Sequence, residues 1–168
     1  MLEIVRLDSK LHDRKGFDCG VPVLNEFIKK QAGSSAKRSL TNTYVLVDTD
    51  NPTEIVGFIT LTFGECIAPD TGQLKNYSYP VPAVKLCRMA IAKSFQGQRL
   101  GEQLLVDVIL RTAGTAGVDA IAPVVGLFVD AKKEAVDFYL QYGFIPVRSG
   151  DESLLYLPIQ NCIDMANV

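Results

Sequence analysis

The most informative segment of the chain is Gln96-Gly97-Gln98-Arg99-Leu100-Gly101, which lies between a hydrophobic stretch, Val84 to Ala92, and a helix-like one, Glu102 to Thr112. A strand that enters a glycine-containing turn and then a helix directs backbone N–H groups and the positive end of the helix at one point. Phosphate groups bind at such points because they carry the opposite charge. The segment therefore predicts a site for a phosphorylated ligand.

Two common phosphate-binding motifs are absent from the sequence. A P-loop that hydrolyses nucleotides ends in Gly-Lys-Ser/Thr, and a dinucleotide-binding fold carries Gly-x-Gly-x-x-Gly near its start. The segment instead resembles the Gln/Arg-x-x-Gly-x-Gly/Ala signature of the GNAT family of N-acetyltransferases, and Cys87-Arg88-Met89-Ala90-Ile91 resembles the strand along which that family holds the pantetheine arm of acetyl-CoA. The resemblance implies acetyl-CoA as cosubstrate, bound by Met89, Ala90, Ile91, Gln96, Gly97, Gln98, Arg99, Leu100, Gly101 and Glu102.

Arg99 departs from the family signature because it stands where the middle glycine is usual. Its side chain either points away from the ligand or adds a positive charge near the pyrophosphate. Alternatively, the missing glycine blocks a close backbone approach and weakens the cofactor site. We favour a working site.

A second segment runs from Val129 to Phe144 and predicts a short amphipathic helix, Lys132 to Tyr142, followed by a strand. Gly143 directly after the last periodic residues is a typical helix stop. The residues at helical spacing are Ala131, Ala135, Phe138 and Tyr139. Taken without the Gln96–Gly101 turn, an aromatic pair on one helix face more often belongs to the hydrophobic core than to a catalytic site. The segment resembles the family's Ala-x-x-Phe-Tyr-x-x-x-Gly-Phe element, and the resemblance implies that Tyr139 is the general acid that protonates the departing thiolate of coenzyme A.

A third segment suggests the acceptor. Residues 17–28, Phe-Asp-Cys-Gly-Val-Pro-Val-Leu-Asn-Glu-Phe-Ile, resemble the opening of one GNAT branch, and Lys37-Arg38 and Thr43-Tyr44-Val45 extend the likeness. That branch contains toxins of toxin–antitoxin pairs that acetylate the amino group of aminoacyl-tRNA. The resemblance implies aminoacyl-tRNA as amine acceptor and an antitoxin protein as partner, and it leaves a homodimer open. Asp130 departs from the branch, which often has histidine there, so acceptor or rate could differ.

Charge gives this acceptor mixed support. The net charge of −2 and the pI near 5.4 do not suit a strong RNA binder, because phosphate contacts come from lysine and arginine. The charge is nevertheless uneven. Residues 1–40 hold eight Lys/Arg against five Asp/Glu and residues 85–111 hold five against two, so each segment is net +3 by subtraction. Such runs are also common on ordinary solvated surfaces.

Metal and triad chemistry are not expected. The four cysteines, Cys19, Cys66, Cys87 and Cys162, lack zinc-binding spacing and a disulfide framework. The single histidine, His12, lies in a polar stretch, and no nucleophile nearby supports a catalytic triad. We therefore predict no metal and place His12 on the surface.

The whole chain, residues 1–168, is expected to form a single N-acetyltransferase domain. No stretch is long and apolar enough for a membrane span and the N-terminus lacks signal-peptide layout, so we expect a cytoplasmic protein with no membrane partner. Hydrophobic patterning predicts an α+β order with one mixed sheet of about six to seven strands flanked by helices. The predicted elements are strands 2–7, 43–47, 55–65, 81–92, 124–129 and 154–159, and helices 21–33, 98–117 and 132–142.

In the GNAT fold that the chain resembles, two neighbouring parallel strands splay apart to form the acetyl-CoA cleft, here the strands over 84–92 and 124–129. Splaying leaves backbone groups that pantetheine amides can pair, and the N–H of Ile91 or a neighbour could stabilise the tetrahedral intermediate. An α-amine titrates near pH 8 and needs little help from a base, which suits a site without a strong base. Two alternatives stay open: an acetyltransferase for a small amine or protein N-terminus, and a non-catalytic binding module with a degenerate cofactor turn.

Overall fold

The computed structural model describes residues 1–168 and contains one mixed sheet of seven strands in the order β1-β2-β3-β4-β5-β7-β6. The strands are β1 (Leu2–Arg6), β2 (Asn42–Asp48), β3 (Gly57–Cys66), β4 (Val81–Ile91), β5 (Gly126–Asp130), β6 (Ile145–Arg148) and β7 (Asp151–Pro158). The α-helices are α1 (Pro22–Glu26), α2 (Ala32–Lys37), α3 (Leu100–Gly114), α4 (Val136–Leu140) and α5 (Ile159–Ala166), with a π-helical turn at Phe27–Gln31 and 3-10 turns at Gly72–Leu74, Lys93–Phe95 and Lys133–Ala135. The predicted α+β architecture is confirmed.

The chain divides into two compact units. The first unit comprises Met1–Thr62 and Cys87–Asp107, and the second comprises Phe63–Leu86 and Val108–Val168. The organisation of residues 1–168 as a single domain therefore stays a prediction. None of the helices has the length and apolar composition that a membrane crossing requires.

The first unit is built on antiparallel pairing of β1 with β2 and of β2 with β3. The π-helical turn and α2 pack on the core of this unit through Phe27, Ile28 and Ala32, and Leu24 of α1 packs against the same core while partly buried. Phe27 stacks on Phe58 of β3 at 6.2 Å between ring centroids, and Phe17 meets the same ring edge-on at 5.3 Å. Burial of these rings stabilises the unit, because the hydrophobic effect scales with the apolar area removed from water.

The second unit contains the parallel pair β4–β5 and two antiparallel pairs, β5–β7 and β6–β7. Its core includes Phe128 and Tyr156, whose ring centroids lie 5.2 Å apart. The parallel register joins Val84 with Leu127, Lys85 with Phe128 and Leu86 with Val129, and β4 continues for five residues beyond Leu86, to Ile91. Regular parallel pairing is thus short, as expected for strands that splay.

Several predicted boundaries were wrong. The helix predicted from Gln98 begins at Leu100, because Arg99 has a φ of +59°, which no α-helix accepts. The helix predicted over 21–33 continues to Lys37 through the π-helical turn, and only Val136–Leu140 of the predicted helix 132–142 is α-helical. The final strand ends at Pro158, and the helix α5 that follows it was missed. Strand β6 received no predicted bounds.

His12 is a further correction, because its side chain is buried at 5% exposure rather than on the surface. Its Nδ1 accepts the backbone N–H of Asp8 at 2.9 Å, and its buried Nε2 has no hydrogen-bond partner. Burial lowers the pKa of His12 below its usual value of 6.5, and the negative charge of Asp8 opposes that shift only in part. His12 lies in a polar stretch of the sequence, so the hydrophobic pattern gave no sign that its ring is buried.

Candidate active site

The turn before α3 has the backbone geometry of an anion site. Gly97 has a φ of +81° and Arg99 a φ of +59°, so the two residues that flank Gln98 both have a left-handed backbone conformation. Such alternation turns successive N–H groups toward one concave point. No backbone–backbone hydrogen bond outside the regular elements uses the N–H groups of Gly97, Gln98, Leu100 or Gly101. These donors can therefore bind a diphosphate at the positive end of α3.

The Arg99 side chain lies along the first turn of α3. Its Nε and Nη2 donate to Glu102 Oε1 at 3.1 and 3.0 Å, and the side chain is 81% exposed. The backbone nevertheless adopts the left-handed conformation that glycine adopts most readily. The substitution therefore preserves the turn at the cost of some backbone strain.

Gln96 braces the turn. Its Nε2 donates to Ile91 O at 2.9 Å and to Cys19 O at 3.0 Å, and its backbone N–H donates to Lys93 O at 3.3 Å. All three contacts are internal to the first unit. These bonds hold the turn in place, and the predicted role of Gln96 in cofactor binding stays a prediction.

The end of β4 packs tightly against β3. A Cβ atom on Gly57 would lie 2.6 Å from Ile91 Cδ1 and 2.9 Å from Ala90 O, so only glycine allows this approach. The same added Cβ atom would lie 3.3 Å from Leu104 Cδ1, which belongs to a buried residue of α3. Because side chains alternate along a strand, Met89 shares the face of Ile91, and Arg88 and Ala90 share the opposite face.

The segment that suggested the acceptor lies beside the cofactor turn. The Lys93 N–H donates to Asp18 O at 2.9 Å. The Asp18 carboxylate accepts the Gly20 N–H at 2.9 Å, Asn25 Nδ2 at 2.9 Å and Lys93 Nζ at 3.4 Å. These partners, led by the Gly20 N–H, lower the pKa of Asp18. Sequence patterning did not reveal this network, because its members are separated by up to 75 residues along the chain.

A cavity of about 230 Å³ opens next to this network. Its lining includes the carboxylate residues Asp13, Asp18 and Glu54 and a single lysine, Lys93. Phosphate would be repelled by the surplus of negative charge. The cavity therefore does not suit a nucleic-acid backbone.

Tyr139 lies in α4 of the second unit. Its ring is 5% exposed and meets Phe138 and Phe144 edge-on, at 5.2 and 5.4 Å between centroids. Burial raises its pKa to about 12, so the phenol is protonated at neutral pH. Its hydroxyl makes no hydrogen bond within the chain and is not among the fully buried unpartnered atoms. The group is thus chemically able to donate a proton, and its catalytic role stays a prediction.

The structure also locates Gly143, Asp130 and the four cysteines, which the sequence analysis singled out. Gly143, with a φ of +88°, lies in the turn that follows α4, but the helix itself already ends at Leu140, before the predicted stop. Asp130 is exposed at the end of β5. All four cysteines are free, and the structure contains no group of three His, Cys, Asp or Glu residues placed to hold a metal.

Comparison with known proteins identifies the architecture. Residues 14–153 match the family described as the acetyltransferase (GNAT) domain. The chain is 30% identical to the probable toxin TacT of Sinorhizobium fredii, over 85% of this chain and 83% of that protein. It is also 30% identical to the tRNA-acetylating toxin of Mycobacterium tuberculosis, over 81% of this chain and 80% of that protein.

Solved structures of related proteins have the same fold as this chain. A tyrosine-to-phenylalanine mutant of KacT matches with a TM-score of 0.85 and 31% identity, covering 98% of both chains. AtaT complexed with acetyl-methionyl-tRNAfMet matches with a TM-score of 0.84 and 27% identity, covering 100% of both chains. A tyrosine-to-phenylalanine mutant of AtaT, bound to the C-terminus of the antitoxin AtaR and acetyl-CoA, matches with a TM-score of 0.78 and 26% identity, covering 96% and 95%.

Proposed function

The chain belongs to the GNAT family and is an acetyl-CoA-dependent N-acetyltransferase, and on this premise we propose that its acceptor is the α-amine of aminoacyl-tRNA. The observation that carries the proposal is the match along the full length of the chain to AtaT complexed with acetyl-methionyl-tRNAfMet. The 30% identity to a tRNA-acetylating toxin supports the same acceptor.

The charges of the first unit support an RNA acceptor. Of the eight lysines and arginines in residues 1–40, only Lys30 forms an ion pair with a carboxylate, that of Glu26 at 2.9 Å. The others keep their charge available, although the chain as a whole is acidic. Uncompensated lysine and arginine supply most of the affinity for a nucleic-acid backbone. The acidic total charge is therefore compatible with a local RNA-binding surface.

We assign the diphosphate of acetyl-CoA to the N–H groups between Gly97 and Gly101, with Gln96 holding the turn and Glu102 orienting Arg99. Backbone of Met89, Ala90 and Ile91 is assigned to the pantetheine amides, and an N–H of this stretch to the oxyanion of the tetrahedral intermediate. These assignments follow from the turn geometry and the family signature.

The reaction is direct attack of a neutral amine on the acetyl thioester. The C–N bond forms first and gives a tetrahedral intermediate, which collapses as the C–S bond breaks. Water or a backbone carbonyl relays the proton of the amine to solvent, and the departing thiolate of coenzyme A takes a proton from Tyr139, which solvent then restores. An α-amine with a pKa near 8 is partly neutral at physiological pH, so no strong base is required. His12 does not serve as base, because its Nδ1 is already engaged by Asp8.

We further propose that the protein is a cytoplasmic toxin with an antitoxin partner, because its relatives are toxins and AtaT binds the C-terminus of AtaR. Charged tRNA is available in that compartment. Expression of the wild-type chain is expected to arrest growth, and the Tyr139→Phe variant is expected not to.

Labelled acetyl-CoA tests the acceptor directly. Purified protein is incubated with charged tRNA, with deacylated tRNA, and with a panel of small amines and peptide N-termini. Label is expected on charged tRNA, released as N-acetyl amino acid when the ester is hydrolysed, and absent from deacylated tRNA. Label found only on small amines or peptides would refute the tRNA acceptor and leave the acetyltransferase activity intact.

A further inference from the structure

Arg88 is placed on β4 directly below the π-helical turn. Its guanidinium carbon lies 3.9 Å from the centroid of the Phe27 ring, and the residue is half-buried. Phe27 itself is fixed by its stack on Phe58. The cation–π contact therefore holds the guanidinium in one orientation.

No acceptor within the chain engages this guanidinium. It forms no ion pair and no hydrogen bond, whereas Lys30, Lys93 and Arg99 each pair with a carboxylate. A guanidinium carries five N–H donors, and the ring satisfies none of them in the way an oxygen would. A partly desolvated cation without an anion costs free energy, and a ligand that supplies the anion would offset that cost.

Two further basic residues are associated with the turn that carries Phe27. Lys29 lies in the same π-helical turn as Phe27 and has no ion-pair partner, and Arg14 Nη1 donates to the carbonyl of Lys29 at 3.2 Å rather than to a carboxylate. We call Arg14, Lys29 and Arg88 the basic cluster. All three residues belong to the first unit: Arg88 contacts the Phe27 ring, and Arg14 contacts the backbone of Lys29, two residues further along the same turn.

We propose that Arg88 binds a phosphodiester of the tRNA acceptor, with Arg14 and Lys29 contributing to the same stretch of backbone. This inference rests on the proposed function and adds the residue that grips the RNA. A planar guanidinium fork fits two phosphate oxygens at once. A single carboxylate of a protein partner would pair with one cation, whereas successive phosphates of an RNA strand pair with several. The basic cluster has three cations without a carboxylate partner, which favours the RNA strand.

The test compares the wild type with Arg88→Met and Arg88→Lys. Methionine keeps most of the packing on Phe27 and removes the charge, and lysine keeps the charge without the fork. Arg148→Met is the matched control, because Arg148 is exposed in β6 of the second unit and lies outside the positively charged residues 1–40 and 85–111. Binding of purified deacylated tRNA is measured at several salt concentrations, together with acetyl-CoA binding and acetylation of charged tRNA and of a small amine.

Arg88→Met is expected to weaken tRNA binding by about ten- to hundred-fold, the range of a charge-assisted bidentate contact. The slope of log K against log salt is expected to fall by about 0.7 to 0.9, as for the loss of one phosphate contact. Arg88→Lys should keep the wild-type slope and bind more weakly than the wild type. Acetyl-CoA affinity and acetylation of the small amine should stay at wild-type values in both Arg88 variants, and the Arg148→Met control should match the wild type in every measurement.

The outcomes separate the two proposals. A wild type that acetylates charged tRNA, with Arg88→Met binding tRNA equally tightly and with an unchanged slope, overturns this inference alone. Unchanged tRNA binding with weakened binding of a glutamate-rich peptide makes Arg88 a carboxylate site and likewise overturns it. A wild type that neither binds nor acetylates charged tRNA overturns the proposed function, and this inference falls with it.

Discussion

The side-chain amide of Gln96 donates a 3.0 Å hydrogen bond to the backbone carbonyl of Cys19, a residue 77 positions earlier in the chain. The same nitrogen donates to Ile91 O at 2.9 Å. One side chain thus ties the cofactor turn to the end of β4 and to the segment that precedes α1. In this chain, the glutamine of the family signature therefore supports the turn.

Gln96→Leu is expected to weaken acetyl-CoA binding because the turn loses its brace. Two carbonyls lose a donor, and since they lie near the surface water replaces part of the loss, so the free energy of unfolding should fall by about 1 kcal/mol. Isothermal calorimetry and urea unfolding measure both effects. Gln31→Leu is the control, because Gln31 is exposed and its side chain makes no hydrogen bond. Equal acetyl-CoA affinity in wild type and Gln96→Leu would show that the brace is dispensable.

Arg99→Gly is expected to stabilise the protein slightly. Glycine relieves a left-handed backbone strain of roughly 1 kcal/mol, while the lost pair with Glu102 is exposed and contributes less than about 0.5 kcal/mol. Arg99→Ala loses the pair and keeps the strain, so the order of Tm should be Gly, then Arg, then Ala. The N–H groups of the turn survive in both variants, and acetyl-CoA affinity should change by less than about three-fold. A glycine variant that melts below the alanine variant would contradict the strain argument.

Tyr139→Phe is expected to lower turnover by about 10²- to 10⁴-fold, the usual contribution of general acid catalysis. Phenylalanine fits the ring contacts with Phe138 and Phe144, and no hydrogen bond within the chain is lost. Thermal stability and acetyl-CoA affinity should therefore match the wild type. Single-turnover acetylation of the acceptor measures the effect. Full activity in this variant would remove Tyr139 from the mechanism.

The buried phenol of Tyr139 also predicts loss of stability at alkaline pH. Its pKa is raised from 10.0 to about 12 in the folded chain, so its contribution is complete below pH 10 and is lost as pH rises toward 12, where the unfolded chain ionises first. Two pKa units correspond to about 2.7 kcal/mol, an upper bound for this group. Urea unfolding between pH 8 and pH 11 should show a smaller decline for Tyr139→Phe than for the wild type. An identical decline would mean that the phenol is not buried.

The buried His12 predicts that the protein loses stability at acidic pH. Its pKa is lowered in the folded chain from 6.5, so the stability that it contributes is present above pH 6.5 and is lost as pH falls, because the unfolded chain takes up the proton first. His12→Gln keeps an acceptor for the Asp8 N–H and removes the titration. The free energy of unfolding should therefore fall less between pH 7 and pH 5 in the variant. Parallel curves for both proteins would contradict a buried neutral imidazole.

Local patterns were sufficient for the architecture of the chain and for the position of the turn. Leu100, Leu104, Leu105 and Val108 share the buried face that their helical spacing predicts. The glycine turn was also readable, because a phosphate-binding turn is built from neighbouring residues whose backbone geometry depends on local sequence, although the helix after it begins at Leu100 rather than at Gln98.

Tertiary structure alone revealed which side chains serve the turn and which remain available to a ligand. The bonds of Gln96 to Cys19, of Lys93 to Asp18 and of Arg88 to Phe27 join residues that are far apart in the chain. The burial of His12 and the left-handed backbone of Arg99 are likewise absent from any periodic pattern. Hydrophobic periodicity reports only which face of an element is buried, whereas hydrogen bonds, ring contacts and desolvation depend on how distant segments pack.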